Sequence, residues 1–243
     1  MTRCRKGAEA EEGPSEASEE KPRGRRRWSR ARRPEEKEAR RAAILTAAVE
    51  LLDGDGLVGA TLSAIARRAG ISKANTYRYF ESREAIMLAI ALADAEDWTA
   101  DLARRLEPLV GSGDVEAVAR ELAACTSARP RLCRLITVLS SVLEHNVSAE
   151  VIADFKRRFN ALMDGPIEAI DAALPGLDAE QTRGFMTFFY IFVAGCWPIA
   201  HPPEAVAELH TRPEFEGMGV DFEAAVQAHA QTLLTGLLAK VGP

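Results

Sequence analysis

The chain has 243 residues, enough for one large domain or two modest ones with hydrophobic cores of their own. Its 42 Ala and 23 Leu outnumber the 25 Val and Ile, and unbranched side chains lose little rotamer freedom in a helix. We therefore expect an all-α fold. The four cysteines (Cys4, Cys125, Cys133 and Cys196) show no paired spacing, which argues against a zinc site or a disulfide framework.

The net charge of −5 conceals an uneven distribution along the chain. Residues 1–90 carry 19 Lys and Arg against 14 Asp and Glu, whereas residues 91–243 carry 12 against 22. A basic N-terminal part followed by an acidic remainder indicates that only one end of the protein meets a polyanion.

The hydropathy of the chain suggests neither export nor membrane insertion. The N-terminus has charges where a signal peptide needs an apolar stretch, and the longest nearly apolar run, residues 185–200, is too short to span a bilayer. We therefore expect a cytoplasmic protein that contacts no membrane.

The first predicted segment is a disordered basic tail at residues 1–33. Residues 21–33 include eight Lys and Arg and no acid, and they follow a Glu-, Gly- and Ser-rich stretch that cannot support a core. Two interpretations stay open for the arginine-rich run. It is either a solubilising segment or an arm that enters a minor groove or follows phosphates.

Four helices are predicted in the proline-free block at residues 35–107. The first presents one apolar face and stops at Gly54 and Gly56. The second is short, ends at a left-handed Gly70 and is followed after a tight turn by a third at residues 73–80. The fourth extends to the end of the block. The predicted N-caps of the last three are Thr61, Ser72 and Ser82. Two short helices joined by a glycine turn and packed on a longer one form a helix-turn-helix.

Five further helices are predicted after residue 108, which makes nine in total. Their predicted N-caps are Asp114, Ser148, Asp178 and Asp221, and Pro130 is expected to open the second of the five. The third of the five is expected to kink at Gly165 and Pro166. Asp178 with Gln181 resembles a capping box and opens a helix, residues 178–197, that is apolar almost all round. That helix must be buried on more than one side.

The segment at residues 61–87, TLSAIARRAGISKANTYRYFESREAIM, resembles the N-terminal DNA-binding domain of the TetR family of bacterial transcriptional regulators. The resemblance covers residues 40–90. The matching positions are Ile44, Ala48, Leu52, Gly56, Thr61, Ile65, Ala66, Gly70, Ile71, Ser72, Tyr77, Tyr79, Phe80, Ser82, Arg83 and Glu84. One departure is Thr76, where the family usually has an aliphatic residue.

The resemblance implies a domain organisation as well as a function. Residues 34–90 are expected to form the helix-turn-helix DNA-binding domain, and residues 91–243 a ligand-binding and dimerisation domain. In this family the C-terminal domain typically encloses a small-molecule pocket, and its last two helices form the dimer interface. The predicted interface residues are Phe185, Phe188, Phe192, Val226, Leu233 and Leu237.

Side-chain chemistry assigns candidate roles on the third helix. Helical geometry turns Thr76 inward and Asn75 and Arg78 outward. Asn pairs bidentately with adenine, and Lys or Arg with guanine, which predicts Lys73, Asn75 and Arg78 as base readers. By resemblance and chemistry, the residues expected to contact phosphates are Thr61, Ser63, Tyr77, Tyr79 and Arg83. The full predicted DNA-binding set is Thr61, Ser63, Ser72, Lys73, Ala74, Asn75, Tyr77, Arg78, Tyr79 and Arg83.

Two of these assignments have plainer alternatives. Tyr77 could be a core tyrosine with its hydroxyl at the surface. Thr61, Ser72 and Ser82 could be caps and nothing more, although capping does not exclude DNA contact. For Arg67 and Arg68 we expect an ordinary solvated helix face.

The C-terminal domain is expected to bind an apolar effector. The predicted ligand-binding residues are Trp98, His145, Phe155, Phe159, Phe189 and Tyr190. His145 either faces inward and orients the polar end of the ligand or marks an exposed helix end together with Glu144 and Asn146. The aromatic residues could equally be ordinary core.

These observations predict a homodimeric repressor that binds a palindromic double-stranded DNA operator and is released by an unknown, largely apolar small molecule. An activator, or a DNA-binding protein whose C-terminal domain only dimerises, is the alternative. An enzyme is not favoured, because no nucleophile, general-base pair or metal-ligand spacing is visible. No cofactor or metal is expected.

Overall fold

The structure, a computed structural model, describes residues 25–215 and 217–239. This part of the chain has ten α-helices and no β-strand, which confirms the all-α fold class. The helices are α1 (Arg25–Gly59), α2 (Leu62–Arg68), α3 (Lys73–Thr76), α4 (Arg83–Leu106), α5 (Val115–Ser127), α6 (Pro130–Leu139), α7 (Ala149–Ala173), α8 (Ala179–Ala200), α9 (Glu204–Leu209) and α10 (Phe222–Ala239). Short 3-10 helices lie at Glu107–Leu109, Leu143–Asn146 and Pro213–Phe215.

Spatial proximity divides the chain into two compact units, residues 1–40 and 41–243. In the first unit the described part is the beginning of α1, and residues 34–40 are exposed. Because α1 begins at Arg25, the predicted disorder is wrong for residues 25–33, where Arg and Ala favour the helix. The rest of the predicted tail, residues 1–24, lies outside the described residues.

A first hydrophobic core in the second unit surrounds the helix-turn-helix. It contains fully buried residues of α1, α2 and α4, for example Leu52, Ile65 and Ile86. Leu135 of α6, Leu143 of the 3-10 helix and Phe155 of α7 pack into the same core. The division at residue 90 stays a prediction, because this core continues across it.

Local capping signals determine where most helices begin. Every predicted N-cap side chain accepts a hydrogen bond from a backbone N–H three residues later, at distances of 2.8–3.4 Å. These caps are Thr61, Ser72, Ser82, Asp114, Ser148, Asp178 and Asp221. The capping box of Asp178 and Gln181 is present. At the other end of α1, Gly56 adopts φ 66°, which interrupts the regular helix close to where it was expected to stop.

Three helical details differ from the prediction. Helix α3 ends at Thr76, and the chain continues to Tyr79 through i to i+3 bonds of 3.0–3.1 Å. Helix α6 ends at Leu139, after β-branched residues that form helices less readily. Helix α9 is additional to the nine predicted helices. Helix α7 continues through Pro166, and the kink expected there stays a prediction.

A second core fills the C-terminal helices. Helix α8 supplies six residues of this core, and α4, α5, α7 and α10 supply most of the others. Within the described residues α8 is also the one helix long and apolar enough to cross a membrane. This corrects the expectation that the longest apolar run, which lies in α8, is too short to span a bilayer. A buried core helix meets the same length and composition criteria, and α8 packs against α6, α7 and α10.

Candidate nucleic-acid interface and cavity

The turn between α2 and α3 is closed by backbone hydrogen bonds. Gly70 has φ 68°, its N–H donates to the Arg67 carbonyl at 3.2 Å, and the Ile71 N–H donates to the Ala66 carbonyl at 3.0 Å. This paired pattern is the Schellman ending of a helix, which requires a left-handed residue at the glycine position. The turn therefore fixes the direction in which α3 leaves α2.

Burial divides the α3 segment into two faces, as helical geometry predicted. Thr76 and Phe80 are buried in the core beneath, whereas Lys73, Asn75 and Arg78 are exposed. The buried Thr76 hydroxyl donates to the Ser72 carbonyl at 3.3 Å. A threonine at this position is therefore accommodated with its polar group satisfied.

Eight of the ten predicted DNA-contacting residues are exposed, and all eight lie on α2, on α3 or directly beside them. Thr61, Ser63, Ser72, Lys73, Ala74, Asn75, Tyr77 and Arg78 are exposed. The Tyr77 side chain is 52% exposed, so it is not a core tyrosine, whereas Tyr79 is half-buried against the first core. We call the exposed residues Ser63, Lys73, Ala74, Asn75, Tyr77 and Arg78 the recognition face.

Arg83 differs from the rest of the predicted set. It is half-buried, and its guanidinium donates to the Leu57 carbonyl at 2.8 Å. Its Nε is buried and has no partner among the described residues. Because the side chain already anchors the end of α1, the structure assigns it a positioning role that the sequence did not predict.

A cavity of about 710 Å³ lies among the C-terminal helices. Five of the six predicted ligand-binding residues line it: Trp98, Phe155, Phe159, Phe189 and Tyr190. Leu132, Met186 and Val193 add to its buried apolar wall. Volume and lining are typical of a site for a small apolar molecule.

His145 does not belong to this cavity. It is exposed and is absent from the lining, so the inward orientation proposed for it is wrong. Its neighbour Glu144 lines the cavity instead and forms an ion pair with Lys156 at 3.1 Å. A 3-10 helix, rather than the continuing α6, turns Glu144 inward and His145 outward.

Polar groups in the cavity are divided between its interior and its rim. The Trp98 indole N–H donates to the Thr126 hydroxyl at 3.1 Å, which donates to the Leu122 carbonyl at 2.7 Å. The half-buried Tyr190 hydroxyl has no hydrogen-bond partner among the described residues. Burial raises its pKa, and the Glu144 carboxylate raises it further. Tyr190 is therefore a neutral donor.

Helix α6 connects the cavity wall to the helix-turn-helix. Arg131 binds Asp94 of α4 through two nitrogens, at 2.6 and 2.8 Å, and Asp53 of α1 at 2.8 Å. Arg134 donates to the Leu52 carbonyl at 2.8 Å. These contacts, which the sequence did not predict, join residues more than thirty positions apart in the chain.

A second connection runs from the other end of α6. The 3-10 helix at Leu143–Asn146 places Leu143 in the first core and Glu144 in the cavity wall. Shortly after it, the Ser148 N–H donates to the Glu81 carboxylate at 2.5 Å. Glu81 directly follows the α3 segment, so contacts near both ends of α6 connect the cavity wall to the helix-turn-helix region.

The predicted dimer residues fall into two groups. Phe185 and Val226 are buried within the second core, so they are corrected from interface to core residues. Phe188 is 59% exposed, and Leu233 and Leu237 are half-buried beside a shallow hollow that all three line. Phe192 is half-buried and stacks on His229 at 3.9 Å. Exposed Ile191 extends this apolar surface of α8 and α10.

The described residues contain no group of three or more His, Cys, Asp or Glu placed to hold a metal ion. Burial raises the pKa of Cys125 and of Cys133 to about 12, and both are protonated at neutral pH. These two thiols are consequently poor nucleophiles.

Two family models match adjoining parts of the chain. Residues 44–90 match the model described as bacterial regulatory proteins, tetR family, and residues 92–241 match the model described as the tetracyclin repressor-like C-terminal domain. The second alone covers more than half of the chain.

Individual proteins support the same relationship over shorter stretches. The chain is 39% identical over 64 residues to the HTH-type transcriptional regulator RutR of Escherichia coli K12 and 35% identical over 86 residues to UidR of the same strain. These stretches are 26% and 35% of this chain and 30% and 42% of the relatives.

A solved structure extends the likeness of the fold to most of the chain. The crystal structure of a TetR transcriptional regulator from Rhodococcus sp. RHA1 covers 83% of this chain and 99% of its own, with a TM-score of 0.51 and 19% identity.

Proposed function

This chain belongs to the TetR family of bacterial regulatory proteins, and from that premise we propose that it is a cytoplasmic repressor released from DNA by a small apolar effector. It binds a palindromic operator as a homodimer. The observation that carries the DNA-binding assignment is the recognition face, where Lys73, Asn75 and Arg78 are exposed above a buried Thr76 and Phe80.

The recognition face has the chemistry of major-groove readout. Asn75 can pair with an adenine edge, and Lys73 or Arg78 with a guanine edge. The exposed Tyr77, Ser63 and Thr61 hydroxyls can bind backbone phosphates and so fix the register. Base contacts supply specificity and phosphate contacts supply affinity for any duplex.

Dimerisation is supported by the apolar surface of α8 and α10. Large apolar side chains such as Phe188 and Ile191 are each more than half exposed, and an isologous contact between two copies would remove them from water. Two recognition faces would then read half-sites whose centres are about 34–36 Å apart, one turn of DNA.

The contacts of α6 support a route for the response to an effector. One side of α6 lines the cavity through Leu132, Ile136 and Leu139, and Arg131 and Arg134 bind α1. A ligand that displaces α6 biases the position of α1, and α4 shares the Arg131 contact through Asp94. The two sites are thereby energetically coupled, with a swing of α4 changing the half-site spacing.

The cavity favours this function over a protein whose C-terminal domain only dimerises. Dimerisation does not require a pocket of about 710 Å³ in each protomer. A pocket with a buried apolar wall and a few polar groups at its rim is typical of a small-molecule site.

The proposal is tested by selecting bound fragments from random duplex DNA and then repeating the binding with a panel of apolar metabolites. We expect a single enriched operator, and at least one compound that weakens operator binding. Retained operator binding in the presence of every compound that occupies the cavity would contradict the effector response and leave DNA binding intact.

A further inference from the structure

The cavity has an apolar interior whose polar groups are already satisfied. Trp98 and Thr126 are hydrogen-bonded to each other, and the Thr126 hydroxyl also donates to a backbone carbonyl. The Cys133 thiol contacts the Thr126 carbonyl at 3.5 Å. A polar group placed against this wall would find no partner and would lose its hydration, so the body of a ligand must be apolar here.

The charged groups at the rim are also paired. The Lys156 ammonium binds Glu144 at 3.1 Å, and the Arg183 guanidinium binds Asp164 at 3.1 Å. Lys156 and Arg183 are exposed, whereas the Glu144 side chain is 23% exposed. A ligand carboxylate that took Lys156 would lie beside Glu144 and be repelled by it. A ligand ammonium would meet two cations at the rim.

One polar group in the cavity wall remains available, the hydroxyl of the half-buried Tyr190. It lies on α8 and has no hydrogen-bond partner among the described residues. The nearby Glu144 carboxylate disfavours the tyrosinate, so this hydroxyl is a donor throughout the neutral pH range. A donor without a partner beside an apolar wall is complementary to a ligand acceptor.

We propose that the cavity takes an uncharged, largely apolar molecule with one hydrogen-bond-accepting group, such as a ketone, ester or lactone carbonyl, to which Tyr190 donates. This inference rests on the proposed effector function and specifies its ligand class. Ser140 and Asn160 also line the cavity and are exposed. The alternatives are a long-chain carboxylate held by Lys156 and a long-chain amine held by Glu144.

A matched series of ten-carbon probes separates these classes. The cavity is first filled with the neutral dye N-phenyl-1-naphthylamine, and its displacement by 2-decanone, decanoate and decylamine is followed by fluorescence at pH 7. We expect 2-decanone to compete at least about tenfold better than either ion, because each ion loses hydration without gaining an unpaired partner. Equal or better competition by decanoate or decylamine would overturn the ligand class.

Two single-residue variants test the named groups. Tyr190→Phe should weaken the binding of 2-decanone by about three- to tenfold, the effect of one hydrogen bond. The affinity for the dye should change by less than about twofold. Glu144→Gln removes the repulsive carboxylate and frees Lys156, so decanoate should bind more tightly. The exposed His145→Ala serves as the control with no expected change. An unchanged 2-decanone affinity in Tyr190→Phe, or an unchanged decanoate affinity in Glu144→Gln, would contradict the proposal.

The outcomes also distinguish this inference from the function on which it rests. If the dye binds but the wrong probe competes best, the ligand class is wrong and the cavity remains a ligand site. If neither the dye nor any probe binds the wild-type protein, the effector site itself is refuted.

Discussion

The recognition face and the cavity are both built from helices, but their residues are distributed differently along the chain. The recognition face comes from one continuous stretch, residues 63–78, and its side chains are exposed to solvent. The cavity collects residues between Ala95 and Val193 from five helices, α4, α5, α6, α7 and α8, and from the 3-10 helix that carries Glu144. A local motif therefore specifies the first site, whereas long-range packing specifies the second.

The two regions differ in how completely their cores are filled. Beneath the recognition face, Leu52, Ile65 and Ile86 are fully buried in the first core. In the C-terminal part, Leu132 and Phe189 are buried in the second core but border about 710 Å³ of open volume. A rigid support suits the reading of DNA at fixed positions, and an incompletely filled interior can adapt to a ligand.

The largest expected effect comes from truncating one leucine in each region. Leu52→Ala should lower the free energy of unfolding by about 3–5 kcal/mol, because it opens a new cavity. Leu132→Ala, in the second core, should lower the free energy of unfolding by only about 2–3 kcal/mol, because it mainly enlarges a cavity that already exists. Urea denaturation with unchanged m-values measures both. Equal losses would mean that the interior beside α6 is as tightly packed as the core beneath the recognition face.

Substitutions on the recognition face should separate base from phosphate contacts. Asn75→Ala or Arg78→Ala should weaken binding to the selected operator by about 1–3 kcal/mol and leave random duplex nearly unaffected. Tyr77→Phe should weaken both alike, because its hydroxyl is assigned to the backbone. Fluorescence anisotropy at one fixed salt concentration measures each. The same loss on operator and random DNA for Asn75→Ala would show that this face does not read bases.

A smaller effect is expected from breaking the connection between the two regions. Asp53→Asn removes the α1 partner of Arg131 and retains the Arg131–Asp94 pair. Effector-induced weakening of operator binding should fall by up to about fivefold, since an exposed ion pair contributes up to about 1 kcal/mol. Operator affinity without effector should stay nearly constant.

Glu50→Gln provides the matched control for this connection. It breaks the surface pair of Glu50 with Arg68 at 2.8 Å, which lies entirely within the helix-turn-helix region. The effector response should be retained in this variant. Identical responses in Asp53→Asn and Glu50→Gln would remove the Arg131 contact from the coupling route.

The smallest effect is expected at the residue that departs from the family pattern. Thr76→Val should change the free energy of unfolding by less than about 1 kcal/mol, since the long bond to the Ser72 carbonyl and a buried hydroxyl disappear together. Thermal unfolding monitored by circular dichroism measures this change in stability. A loss above about 2 kcal/mol would show that the hydroxyl itself holds α3 in place.

The recognition face could be predicted because its determinants are local. Gly70, the caps Thr61 and Ser72, and the alternation of buried and exposed residues around Thr76 all act within a few positions. For Arg83 the sequence predicted only a phosphate contact. Its hydrogen-bond partner, the Leu57 carbonyl, lies 26 residues away, and a backbone carbonyl cannot be recognised from the type of residue that carries it.

The cavity could be predicted only in part. Aromatic residues such as Phe155 and Phe189 were found because apolar stripes indicate inward faces. The sequence predicted an inward His145, whereas Glu144 lines the cavity. The reason is that a change from α-helix to 3-10 helix rotates successive side chains by a different angle. The apolar positions Phe185 and Phe188 on α8 could not be divided into core and surface without knowing where α10 packs.

The most direct test of the central claim is a footprint of the wild-type protein and of the Asn75→Ala/Arg78→Ala double variant on duplex selected by the wild-type protein. The account predicts two symmetric protected half-sites with centres about 10–10.5 base pairs apart for the wild type, and loss of this pattern in the double variant. A single asymmetric site, or an identical footprint for the double variant, would contradict a dimer that reads DNA through this face.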